Sequence, residues 1–117
     1  MRDHTKLRAF DLADELALAV YNATRNFPKD EQFGLTSQMR RVAVSCASNI
    51  VEDCARNSGS DYIRFLDMAY GSVREVEYQA SLAHRLGYLT PEVNASLHDA
   101  CVETSKVLGG LICSLRS

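Results

Sequence analysis

The sequence has little of what most protein chemistry requires. It contains no G-x-G-x-x-G, no P-loop and no H-E-x-x-H pattern, which excludes the common nucleotide-binding and zinc-hydrolase arrangements. Its four cysteines, Cys46, Cys54, Cys101 and Cys113, include no C-x-x-C pair, so a structural zinc site is not expected. No glutamate has a histidine three residues later. That absence excludes the paired Glu-x-x-His ligands of a di-iron helical bundle. No metal, no cofactor and no catalytic residue is therefore expected. No apolar run approaches the ~20 residues that cross a bilayer, and the opening MRDHTKLRAFD is too charged for a signal peptide. The expected location is the cytoplasm, with reduced, buried cysteines. An excess of positive charge is also missing. Thirteen basic and fifteen acidic residues leave a net charge of −2, which argues against gripping nucleic acid by bulk charge.

What is present is helical periodicity. A chain of 117 residues, 46% hydrophobic, is one domain with enough apolar mass for a core. The two prolines, Pro28 and Pro91, fall where helices stop and start. The spacing predicts an all-α protein, an antiparallel up-down-up-down four-helix bundle. Its helices run over about 5–26, 36–56, 61–86 and 91–115. Helix one carries Leu7, Phe10, Ala13, Ala17, Val20, Thr24 and Phe27 on one face, widened by Leu16. Phe27 and Phe33 are expected to anchor the following loop on the bundle end. Helix two, with Thr36 as its N-cap, carries Met39, Val42, Ala43, Cys46, Ile50 and Cys54. Helix three carries Phe65, Leu66, Ala69, Val73, Val76, Ala80, Ala83 and Leu86. Gly87 stops helix three, and Thr90-Pro91-Glu92 starts helix four. Helix four buries Val93, Leu97, Cys101, Thr104, Leu108, Leu111, Ile112 and Leu115.

Two helices are apolar on a second side. Val44, Ala47 and Val51 form a strip on helix two, and Met68, Gly71, Tyr78 and Leu82 form one on helix three. The strip on helix three is the expected contact with other copies of the chain. Gly71 lies mid-helix, at a cost of about 1 kcal/mol against alanine, and the expected reason is close approach of helix two. Between the strips, Arg41, Ser45, Asn49, Glu52 and Arg56 follow one another at three- and four-residue spacing, so they share a line on the helix surface. With Ser72, Glu75 and Gln79 of helix three they read as a structural network of interhelical hydrogen bonds. The competing reading is a pocket around Asn49, Glu52 and Glu75. Arg40, Arg41, Arg56 and Arg64 form the one cluster able to meet phosphates, against the alternative of surface ion pairs.

The stretches FGLTSQMRRVAVSCASNIVED and DYIRFLDMAYGSVREVEYQASLAHRLGYL resemble the bacterial four-helix-bundle family of 23S rRNA intervening-sequence proteins. The resemblance rests on Leu35-Thr36-x-Gln38, Arg40-Arg41, Ser45, Asn49-Ile50-x-Glu52, Phe65-Leu66, Gly71-Ser72 and Glu75. The family commonly has proline in place of Ala47 and glycine in place of Asp53, so this chain favours a straighter second helix. The resemblance implies a bundle that assembles into a ring, a homopentamer, with no established catalytic residues. The expected function is that of a noncatalytic oligomeric interaction protein, partnered by itself and by an unknown protein. The alternative is an RNA-binding accessory protein using the four arginines.

Overall fold

The computed structural model describes residues 4–55 and 59–116. Four helices fill them: α1 (His4–Ala23), α2 (Leu35–Ala55), α3 (Gly59–Arg85) and α4 (Pro91–Arg116). A short 3-10 turn, Lys29–Glu31, lies between α1 and α2. No strand occurs among the described residues. Each helix packs on its neighbours in the chain, and α1 closes the square on α4. Ion pairs fix the directions. Lys6, at the start of α1, meets Asp53 at the end of α2. Asp67, early in α3, meets Arg116 at the end of α4. Neighbours therefore run antiparallel, in a body of 43 × 24 × 18 Å.

The core follows the expected rows on α2 and α3. Met39, Ala43, Cys46 and Ile50 are buried on α2, and Phe65, Leu66, Ala69, Val73, Val76, Ala80 and Ala83 on α3. On α1 and the turn after it most of the expected face is buried, Ala13, Leu16, Val20, Thr24 and Phe27, but Ala9 joins it, Phe10 and Ala17 are half-buried and Leu7 is exposed. An alanine-rich helix has apolar residues all round, so periodicity does not fix which strip turns inward. Val93, Leu115 and Leu86 are also exposed.

The helix ends explain three differences in the boundaries. First, α1 stops at Ala23 rather than near Asn26. Its last turn is closed by the Thr24 hydroxyl, which donates to the Val20 carbonyl at 2.8 Å. Second, Thr36 lies inside α2 and does not cap it. The Glu31 carboxylate takes that role, accepting from the Leu35 N–H at 3.1 Å. Third, α3 starts at Gly59, two residues before the expected Asp61. The α3–α4 turn is as expected. Gly87 has φ +83°, with Tyr88 N–H on the Ala83 carbonyl and Gly87 N–H on His84, both 2.9 Å. Those two bonds make a Schellman turn, which favours glycine at the left-handed residue. Thr90 Oγ1 then accepts from the Val93 N–H at 3.1 Å and caps α4.

Candidate interaction surface

Helix α3 has one buried face and one unpaired apolar face. Its 3.6-residue repeat puts Met68, Gly71, Tyr78 and Leu82 on the side away from the core. Met68 is 49% exposed, Tyr78 60% and Leu86 50%. Leu82 is half-buried and Gly71 is exposed. A side chain at Gly71 would meet nothing within 4 Å, so no part of α2 approaches it closely. That glycine leaves a flat place on the surface rather than serving a tight internal crossing. Val44 and Val51, 42% and 50% exposed, continue the apolar surface on α2.

The polar line is less connected than its spacing implies. Asn49 is buried, but its amide turns back into α2, donating to the Ser45 carbonyl at 2.9 Å and the Ser45 hydroxyl at 3.2 Å. Ser72 similarly donates to the Met68 carbonyl of its own helix at 3.1 Å. Glu52 and Glu75 are exposed. Gln79 is buried with its side-chain oxygen unpartnered.

The arginines are separated in role. Arg40 lies against the end of α1. Its Nε donates to Thr24 Oγ1 at 2.8 Å, and its guanidinium stacks on the Tyr21 ring at 4.7 Å. A cation there also meets the negative end of the α1 dipole. Arg41 is exposed and reaches Ser37 at 3.4 Å. Arg64 is exposed and lies over the Phe65 ring at 5.0 Å. Arg56 and the side chain of Cys54 lie outside the described residues.

Three polar contacts were not foreseen. Asp53 is fully buried, with Lys6 Nζ 3.2 Å away. Burial pushes its carboxyl above the usual range, against the opposing pull of Lys6. Asp53 continues the buried row Met39, Ala43, Cys46, Ile50 at helical spacing, which is the signal that could have found it. The second contact is Glu31, whose other oxygen accepts from the Tyr88 hydroxyl at 2.9 Å. That bond, then burial, raises the tyrosine pKa. Tyr88 also packs on Phe27, with ring centroids 5.3 Å apart. Phe27 thus anchors the loop as expected, but Phe33 does not: it is 90% exposed. The third lies in an open groove of about 420 Å³ between α3 and α4. There Glu77 pairs with Arg74 at 3.3 Å and His98 at 3.2 Å. The Arg74–Glu77 pair has i,i+3 spacing within α3, but the contact of His98 with Glu77 joins two helices and has no signature in the periodicity of either.

The chemistry available is limited. Burial pushes the Cys46 and Cys101 thiols up to about 12, so they are protonated and unreactive at neutral pH. Cys113 is exposed rather than buried. No group of three or more metal-ligating side chains occurs among the described residues. No helix among them is long and apolar enough to cross a membrane.

Comparison with known proteins agrees with this architecture. A family model described as 23S rRNA-intervening sequence protein matches residues 5–110. A 1.70 Å crystal structure from Bacteroides thetaiotaomicron VPI-5482, of a protein with unknown function from the S23 ribosomal protein family, is similar at a TM-score of 0.84. It is 27% identical, and the match covers 92% of this chain and 97% of that one. No curated protein matches.

Proposed function

The chain belongs to the 23S rRNA-intervening sequence protein family, and from that membership we propose that it is a noncatalytic cytoplasmic scaffold that binds copies of itself. One observation carries the reading. Met68 and Tyr78 on α3, and Leu86 just past its end, stand about half exposed while the opposite face of the helix is packed. Such a stripe favours burial against a partner, since large apolar patches on a lone domain are uncommon. A second copy is the occupant proposed, through α3 and the neighbouring Val44 and Val51. A stable interface of this kind buries about 800 Å² on each partner. The family resemblance makes five copies the expected number. Light scattering after size exclusion tests this. The expected mass is a multiple of the 13.0 kDa chain, and a mass of one chain would overturn the proposal.

RNA binding is the second reading, supported by the family's name and by the exposed guanidiniums of Arg41 and Arg64. Arg40 supports it least, because its guanidinium is engaged by Thr24 and Tyr21. Titration with structured RNA at several salt concentrations decides it. Binding through phosphates weakens steeply as salt rises.

A further inference from the structure

The outer line of α1 carries leucines in water: Leu7 is 44% exposed and Leu18 61%. Beside them a groove of about 460 Å³ runs between α1 and α4. The half-buried Val102 and Val107 are its apolar walls, with Arg8, Asp99, Glu103 and Lys106 around it. Arg8 also lines a second groove, of about 320 Å³, with Leu7, Asp11, Leu12 and Glu15 of α1. The two depressions therefore adjoin at Arg8 and make one surface, apolar at its base and charged at its edges.

The charge on those edges is unbalanced. Asp11, Asp14, Glu15 and Asp99 are exposed, and among the described residues none of them has an ion pair. Glu103 is taken by Arg8, which leaves Lys106 as the cation of this stretch. Four carboxylates against one ammonium put the surface at −3, in a chain whose net charge is −2. Acids on the other sides are matched: Glu77 by Arg74 and His98, and Asp67 by Arg116. Asp11 stands three residues before Asp14 and four before Glu15, so like charges repel one turn apart on α1. Exposed leucines among mutually repelling carboxylates are relieved together by an occupant that is both cationic and apolar. We propose that the α1–α4 side docks a basic amphipathic helix of another protein. Its apolar side chains enter the Val102–Val107 groove and cover Leu7 and Leu18, and its lysines and arginines meet Asp11, Asp14, Glu15 and Asp99. Nucleic acid is repelled from this side by the sign of its charge. A second copy is the poorer occupant, because the chain is net acidic and its apolar α2–α3 face carries charges of both signs. The inference is independent of self-assembly, which uses that other face.

Three synthetic peptides and three variants test it by fluorescence anisotropy. The first peptide is an amphipathic helix of leucine and lysine. The second has serine for every leucine, and the third has glutamate for every lysine. The first should bind, and the other two at least about tenfold more weakly. Binding of the first should weaken as salt rises, since exposed charges are screened. Asp11→Asn with Glu15→Gln should weaken it about tenfold, and Leu18→Ser by a similar factor. Glu75→Gln, an exposed acid on α3, should leave it unchanged. Circular dichroism should match the unchanged chain for all three, because none of the sites is in the core. No binding of the first peptide overturns the proposal. Equal binding of the first and second reduces the surface to charge attraction and overturns it as well. So does a loss in Glu75→Gln as large as that in the α1 variants. If Leu18→Ser lowers the mass of the assembly while the first peptide is not bound, a second copy covers this side and the basic partner is refuted.

Discussion

The two ends of the bundle are fastened by different physics. At the end where α1 stops and α2 starts, the fastening is a set of directional hydrogen bonds. Thr24, Arg40, Glu31, Tyr88 and Gly87 each close a turn or hold a neighbouring one. At the opposite end, where α1 begins, the principal tie between α1 and α2 is a buried ion pair, Lys6 with Asp53. Losing one member of such a hydrogen bond leaves no fully buried charge unpaired. A buried charge is different, because removing its partner leaves the desolvation cost with nothing to offset it. The loop end is therefore fixed by several directional contacts, and the Lys6 end by a conditional tie.

Breaking the ion pair should have the largest effect. Lys6→Met leaves Asp53 charged and unpaired, and should cost about 3–5 kcal/mol at neutral pH by thermal denaturation. Adding Asp53→Asn should restore most of that loss. The pH dependence has a definite sign. Burial holds the folded carboxyl above the ~3.9 of an unfolded aspartate. Between those two values the folded chain keeps a proton that the unfolded chain has lost. The stability linked to this group is complete below the unfolded value and falls as pH rises through the folded one. The cost of Lys6→Met should therefore shrink as the medium is acidified toward pH ~4, and an equal cost at pH 4 and 7 would refute the buried-charge account.

At the other end the effects should be smaller. Thr24→Val removes the acceptor of Arg40 Nε and should cost roughly 1–3 kcal/mol. A double-mutant cycle with Arg40→Met should show coupling, because the two side chains share one bond. Strict additivity would mean that the bond contributes nothing. Gly87→Ala forces a β-carbon into a left-handed backbone position and should cost ~1–2 kcal/mol. Denaturant titration reads that loss as a lower midpoint with an unchanged slope.

Most of the fold was legible because it rests on local patterns. The rows of α2 and α3, the glycine stop at Gly87 and the Thr90 cap are each written in a few neighbouring residues. The end of α1 was less legible. It is set by a side chain, Thr24, whose partner Arg40 lies sixteen residues away. The site was less legible still. Periodicity marked Met68, Gly71, Tyr78 and Leu82 as a second strip, and all but the half-buried Leu82 are exposed. It could mark Asp53 as an inward position but not its pairing with Lys6, because a buried ion pair depends on two helices meeting. Phe33 was misread for a related reason. Two aromatics in a loop look equivalent, but only Phe27 has a partner ring within reach.

Asn49 gives the smallest expected effect and the sharpest contrast with Lys6. Both are polar residues in or beside the core. Asn49, however, donates to Ser45 one turn earlier in its own helix. The Ser45 carbonyl already belongs to the helical ladder, and the Ser45 hydroxyl is only half-buried. Replacing Asn49 by leucine orphans no buried group and adds apolar surface at a mostly buried position. Asn49→Leu should therefore shift stability by less than about 1 kcal/mol, and it should leave the mass of the assembly unchanged. A loss of 2 kcal/mol or more, comparable with breaking the ion pair, would mean that Asn49 has a partner across the helix interface. The polar line on α2 would then be a network between helices, and the contrast between the buried charge and the local amide would fail.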